Sequence, residues 1–107
     1  VTDLTQLYLR SNNLTAAGVA RLKPLTRLSN LDVYSAGLTD EVFEHLPAFK
    51  NLDQLAVMRS KITGSGLRHL KELPRLRSLY LAENPHLTDE GFAAAPALPG
   101  LELLAIW

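Results

Sequence analysis

The chain repeats one apolar pattern at a nearly constant interval. A leucine opens a six-residue segment of the form L-x-x-[LV]-x-[LVI] five times, at Leu4, Leu28, Leu52, Leu76 and Leu101. These leucines are 24, 24, 24 and 25 residues apart. A repeat of this length accommodates one short strand and one further segment, and each repeat buries its apolar face against its neighbours. The period therefore restricts the chain to a repeat architecture.

Each interval also contains a helical pattern of apolar residues. A threonine follows each of the first four predicted strands, at Thr15, Thr39, Thr63 and Thr88. Three apolar residues then recur at a spacing of three, as the inward stripe of a short α or 3-10 segment requires. We expect five parallel strands centred on residues 7–9, 31–33, 55–57, 79–81 and 104–106, with a helical segment after each threonine.

These features resemble the leucine-rich repeat family over the whole chain, and specifically its bacterial type of about 24 residues. The L-T-D-E-G-[LF] segment of that type occurs here at Leu87–Phe92. The resemblance implies an α/β solenoid with a curved parallel sheet on its concave face and short α or 3-10 helices on its convex face. Many members place an asparagine eight residues after the opening leucine, where it bonds the loops of neighbouring repeats. Because the second repeat has Ala36 there, we expect that repeat to be looser or solvated at this point.

We expect the repeats to form one domain over the 107 residues. They are residues 4–27, 28–51, 52–75, 76–100 and a partial repeat at 101–107. Neither end has a recognisable cap, so we expect a piece of a longer array, with end-to-end self-association through the uncapped termini as the alternative. The one extra residue of the fourth repeat falls in the loop at 84–86, where we expect His86 to be exposed.

Composition argues against several functional classes. The 11 basic and 11 acidic residues balance, and no basic block is present to neutralise a nucleic-acid backbone. The absence of cysteine excludes disulfides and thiolate metal sites. No apolar run approaches the ~18 residues of a membrane helix, and no signal peptide precedes the first repeat. We therefore expect a soluble protein that binds neither nucleic acid nor membrane, and its compartment stays unknown.

Local motifs favour structural roles over chemistry. The segments Thr39-Asp40-Glu41 and Thr88-Asp89-Glu90 are typical of helix N-caps and of acids at the positive end of a helix dipole. The Gly64-Ser65-Gly66 segment lacks the lysine of a phosphate-binding loop. His45 and His69 share one repeat position on the convex side without further metal ligands beside them. We expect no catalytic residue, metal or cofactor, and thus a binding protein rather than an enzyme.

The aromatic residues separate into two sets. Residues two, four and six after each opening leucine point away from the core, because side chains alternate along a strand. All three tyrosines, the tryptophan and the methionine fall at these positions, whereas all three phenylalanines fall at helical core positions. Tyr, Trp, Met and Arg are enriched at protein interfaces. The candidate partner-binding residues on the concave face are Tyr8, Arg10, Asp32, Tyr34, Met58, Arg59, Tyr80 and Trp107.

We expect Tyr34, Met58 and Tyr80 to be the central anchors and to face solvent in the free protein. Arginines and acids are both present on and beside this face, which favours a protein or peptide partner of mixed charge. The predicted function is protein recognition through the concave face. The alternative is a structural spacer or scaffold segment without its own ligand, since tyrosine and tryptophan also favour strands on packing grounds alone.

Overall fold

A computed structural model of the chain, which describes residues 3–10, 14–93, 98 and 100–106, shows an α/β structure with one parallel sheet and short helices. Its strands are β1 (Gln6–Arg10), β2 (Asn30–Tyr34), β3 (Gln54–Met58), β4 (Ser78–Tyr80) and β5 (Leu103–Ala105). The five predicted strands are confirmed, with β4 and β5 each displaced by one residue toward the N-terminus.

The sheet pairs each strand with the strand one repeat away, in the order β1-β2-β3-β4-β5. Leu7 is in register with Leu31, Leu31 with Leu55, and Leu55 with Leu79. Leu79 is in register with Leu104 across the longer interval. The apolar anchors consequently stack in one column, because a period that conserves the strand phase conserves the inward face as well.

The helical segments follow the predicted threonines. They are α1 (Ala16–Ala20), α2 (Val42–His45), α3 (Asp89–Ala93) and two 3-10 segments, Leu46–Ala48 and Ser65–Glu72. A 3-10 segment of eight residues is long for this helix type. It suits the sequence here, because side chains three residues apart eclipse in a 3-10 helix and bring Leu67 and Leu70 to the same buried side.

The core lies between the sheet and the helical segments. Phe43 and Phe49 are fully buried there, as the phenylalanine pattern predicted, while the side chain of Phe92 lies outside the described residues. Leu31, Leu55 and the other strand anchors of the middle repeats are also inaccessible to solvent. Leu104 continues the same column but is 42% exposed, because β5 is an edge strand of the described sheet.

Asp40, in the Thr39-Asp40-Glu41 segment, caps the helical segment of the next repeat. Its carboxylate accepts hydrogen bonds from the backbone N–H of Thr63 at 2.8 Å and from those of Gly64 and Gly66 at 3.1 Å, and from the Thr63 hydroxyl at 2.8 Å. All four donors lie at the start of the next repeat's 3-10 segment. At α2 itself no side chain makes a cap hydrogen bond, so the capping expected of the Thr39-Asp40-Glu41 segment is not found at the helix that follows it. Thr88, in contrast, accepts from the N–H of Gly91 within α3, as expected of an N-cap.

Buried polar side chains join the loops that follow the strands. The Asn84 amide donates to the Val57 carbonyl at 2.8 Å and accepts from the Ser60 N–H at 2.9 Å and hydroxyl at 2.7 Å. In the second repeat, Ser35 bonds the Leu14 carbonyl at 2.8 Å. The second repeat thus keeps a hydrogen bond to its neighbour one residue before Ala36, and Ala36 itself is exposed to solvent. His86 is exposed, as predicted.

Candidate functional site

The face of the sheet that points away from the core, here called the open face, carries three rows of side chains. Each row is built by one repeat position, so its members are in register on neighbouring strands. The first row holds Gln6, Asn30, Gln54, Ser78 and Leu103. The second row holds Tyr8, Asp32, Ala56, Tyr80 and Ala105, and the third begins with Arg10, Tyr34 and Met58.

A small apolar cluster occupies the middle of the open face. Ala56, Met58 and Ala82 are buried in it, and Tyr34 and Tyr80 pack against them. Met58 is only 9% exposed. The expectation that Met58 faces solvent is therefore wrong: alanines at two of the neighbouring positions leave room for the larger side chains to close over one another. Tyr34 and Tyr80 are half-buried and present the accessible aromatic surface of the cluster.

Two further predicted residues extend this aromatic surface toward β1. The Arg10 guanidinium lies over the Tyr34 ring, 4.8 Å from its centroid, in a cation–π contact. Tyr8 is 60% exposed, the most accessible of the three tyrosines. Because its ring is so accessible, it is available to a partner without prior rearrangement.

Asp32 lies between Tyr8 and Ala56 in the second row. Its Oδ1 is shielded from solvent and has no hydrogen-bond partner among the described residues. Burial raises the pKa of the Asp32 carboxyl, and a hydrogen bond from the Gln54 side chain offsets this only in part. The open face therefore contains a carboxylate that the described residues leave incompletely satisfied.

The remaining charges beside the open face pair with one another across repeats. Arg77 donates to both carboxylate oxygens of Asp53, at 2.8 and 2.7 Å, and those bonds hold the pKa of Asp53 below its usual range. At the opposite edge, Arg59 donates to Glu83 at 2.6 Å. Arg59 and Glu83 also share a left-handed backbone conformation, with φ of 54° and 57°. Arg59, one of the predicted partner-binding residues, is thus already engaged within the protein.

Two cavities open at the edge where the strands begin. The larger, of about 610 Å³, lies between Asn51, Arg75 and Glu102, and the smaller, of about 340 Å³, reaches Gln54 and Ser78. Both are lined by the Asp53–Arg77 pair. The mixed charge of this face was expected from the sequence, but the cavities were not. The alternation of Asp53, Arg77 and Glu102 at one repeat position is the signal that could have indicated a charged edge.

Other kinds of site find little support in the part of the chain that the structure describes. It contains no group of three or more His, Asp or Glu residues arranged to hold a metal ion. His69 lies 3.6 Å from Glu72 on its own helical segment. Among the same residues, no helix is both long and apolar enough to cross a membrane. Trp107, the last predicted binding residue, lies outside the described residues.

Comparison with known proteins identifies the repeat. A family model described as a leucine rich repeat matches residues 2–23, which include β1 and α1. No curated protein matches the chain. The strand-and-helix unit in the matched segment recurs along the chain, with the same strand register from β1 to β5. Over this segment the chain is similar to the leucine-rich repeat family.

Proposed function

We propose that this chain is a protein-recognition module and that it binds a protein or peptide segment on the open face, which is the concave face of a leucine-rich repeat solenoid. The apolar cluster around Met58 carries the proposal. Packing of the core does not require large side chains on the opposite face of the sheet. Tyr34, Met58 and Tyr80 nevertheless form an aromatic and thioether surface on that face. Such side chains bury much area at interfaces while offering polar or adaptable contacts.

The rim of this surface favours a partner with both polar and apolar side chains. Amide side chains of the first row border one side of the cluster, and Arg10 borders the other. The ion pairs of Asp53 with Arg77 and of Arg59 with Glu83 keep the flanking edges close to neutral. An apolar centre with a polar rim is the usual anatomy of a protein interface, and it offers no continuous positive field for a polyanion.

A structural spacer is the second candidate, and the burial of Met58 favours it. A cluster that closes over itself stiffens the sheet without any ligand, and the charge pairs between repeats do the same. The two proposed functions predict different effects when an exposed aromatic side chain is removed. In a spacer, removal of the accessible rings has no consequence beyond a small loss of stability.

The test is a selection of binding peptides from a phage-displayed random library on the immobilised chain, followed by titration of the selected peptides. We expect Tyr34→Ala and Tyr80→Ala each to weaken binding by about tenfold or more, as hot-spot aromatics do. His45→Ala and Arg21→Ala, on the helical side, are the controls and should leave affinity unchanged. Urea denaturation of each variant separates lost binding from lost folding.

The spacer function would be favoured by either of two results. One is a library from which no peptide is enriched over a blank surface. The other is a set of peptides whose affinity falls equally with the open-face and the helical-side substitutions. A loss confined to His45→Ala or Arg21→Ala would move the binding site to the helical side.

A further inference from the structure

Three aspartates of this chain are each partly shielded from solvent, and they differ in their hydrogen-bond partners. Asp40 accepts four hydrogen bonds from the next repeat. Asp53 is held by both nitrogens of the Arg77 fork. Asp32 alone of the three has an oxygen that is shielded from water and lacks a donor among the described residues. Buried carboxylates are normally paired or hydrogen-bonded, so this exception calls for an explanation.

Within the rows of the open face, the cationic side chain closest to Asp32 by register contacts a different residue. Arg10 lies diagonally across from Asp32 on β1, but its guanidinium stacks on the Tyr34 ring and makes no ion pair with Asp32 in the described part of the chain. The register partner of Asp32 on β3 is Ala56, which has no polar side-chain atom. The remaining arginines beside the face, Arg59 and Arg77, are paired with other acids.

Two tyrosines occupy positions next to Asp32 on the open face. Tyr8 is the register partner of Asp32 on β1, and Tyr34 follows two residues later on the same face of β2. Rings in these positions can flank a cation that approaches the carboxylate, and the Arg10–Tyr34 contact shows that one of them already accepts a guanidinium. A charged donor forms a stronger hydrogen bond to a carboxylate than a neutral donor does, which favours lysine or arginine over an amide or hydroxyl.

We propose that Asp32 is the recognition site for a basic side chain, lysine or arginine, of the protein partner, with Tyr8 and Tyr34 flanking the bound cation. This inference rests on the proposed function, because it places the cation of a bound peptide on the open face. The partner supplies the donors that the fold withholds from Asp32. The Asp32 side chain is then an unfavourable feature of the free protein that becomes favourable in the complex.

The experiment uses the peptides selected on the wild-type chain. We expect them to share a lysine or arginine, and Asp32→Asn to weaken their binding at least tenfold. Glu102→Gln is the matched control: it removes one exposed carboxylate outside the three rows and should change affinity less than twofold. Replacing the shared basic residue of the peptide by glutamine should weaken binding to the wild type, with little further effect on the Asp32→Asn variant.

A second measurement separates recognition from a structural role. Asp32→Asn removes a partly shielded charge that forms no ion pair among the described residues. It should therefore leave the urea midpoint unchanged or raise it. A clearly lowered midpoint would assign Asp32 a structural role and overturn the inference. Peptides without a basic residue, or binding unaffected by Asp32→Asn, would overturn it as well, while sensitivity to Tyr34→Ala and Tyr80→Ala would leave the proposed function standing. A library that yields no peptide would refute both.

Discussion

At the scale of single residues, Asp40 shows how one carboxylate joins two repeats. Burial by itself would raise the pKa of the Asp40 carboxyl, but hydrogen bonds from Thr63, Gly64 and Gly66 outweigh it and leave the pKa lowered. The ionised form is thus the one that the folded protein stabilises. Asp32 is the opposite case, since burial raises its pKa and its hydrogen bonding is incomplete. The pKa values of the two carboxyls shift in opposite directions because Asp40 has more hydrogen-bond donors around it than Asp32 has.

The lowered pKa of Asp40 predicts an acid-sensitive contribution to stability. The unfolded carboxyl titrates near pH 4, so its stabilisation is fully present above that pH and is lost as the pH falls through the lower folded value. Asp40→Asn should cost about 2 kcal/mol at pH 7, the upper end for a helix cap. It should also flatten the dependence of the urea midpoint on pH below about pH 4.

The matched control for this titration is Asp89→Asn, which alters an exposed acid at the start of α3. It should lower the midpoint at pH 7 less than Asp40→Asn does, because the Asp89 side chain is exposed. If Asp40→Asn retained the full acid dependence of the wild type, the hydrogen bonds to the next repeat would not be the source of the lowered pKa.

At the scale of elements, the helical segments pack so closely that glycine is required between them. A Cβ on Gly66 would lie 2.6 Å from the Asp40 carbonyl oxygen and 2.7 Å from the Phe43 ring, both in the preceding repeat. A Cβ on Gly91 would collide with the Thr63 carbonyl in the same manner. Gly64 combines this crowding with a φ of 107°. The Gly64-Ser65-Gly66 segment thus serves the contact between helical segments.

Gly66→Ala provides the test at this scale. Alanine is the better helix former, so an isolated helix would gain from the change. Here the overpacking against Asp40 and Phe43 should dominate and destabilise the protein by about 1–3 kcal/mol. Gly100→Ala is the control, because its nearest atom would be the Leu76 carbonyl oxygen at 3.7 Å, an ordinary contact. Equal denaturation midpoints for Gly66→Ala and wild type would contradict the close approach.

At the scale of the whole molecule, every repeat depends on its neighbours. Each strand pairs with the strands directly before and after it in the chain. The helical segments contact those of adjacent repeats in the same succession. The inward leucines of β2 and β3 are fully buried between two layers, whereas Leu104 of β5 is not. Stability in such a stack is a sum of repeat and interface terms and is unevenly distributed.

Native-state hydrogen exchange should display this gradient. We expect the strand amides of β2 and β3 to exchange slowest and those of β5 fastest, since opening an edge strand breaks one interface instead of two. Measurement by NMR or by mass spectrometry of short peptides checks the order. Uniform protection from β1 to β5 would mean that the chain opens only as a unit, and that the repeats are more strongly coupled than their contacts indicate.

The sequence by itself determined the fold of this chain to within a residue at most strands. The constant interval between Leu4, Leu28, Leu52 and Leu76 dictated a parallel register, because equal spacing is the only way to stack equivalent side chains. The alternation of side chains along a strand likewise placed Tyr34 and Tyr80 on the open face. Strand register and the face on which a side chain lies both follow from a residue's position within its repeat. A regular repeat makes that position evident from the sequence.

Only the tertiary structure decided how side chains of different repeats meet. In the tertiary structure the Asp40 carboxylate accepts from the next repeat, Asp53 pairs with Arg77, and Met58 is covered. Asp32 Oδ1 is left without a donor among the described residues. A sequence pattern specifies the face and the row of a residue. It does not specify which neighbour its atoms reach, because that depends on rotamers and on the size of side chains 24 residues away.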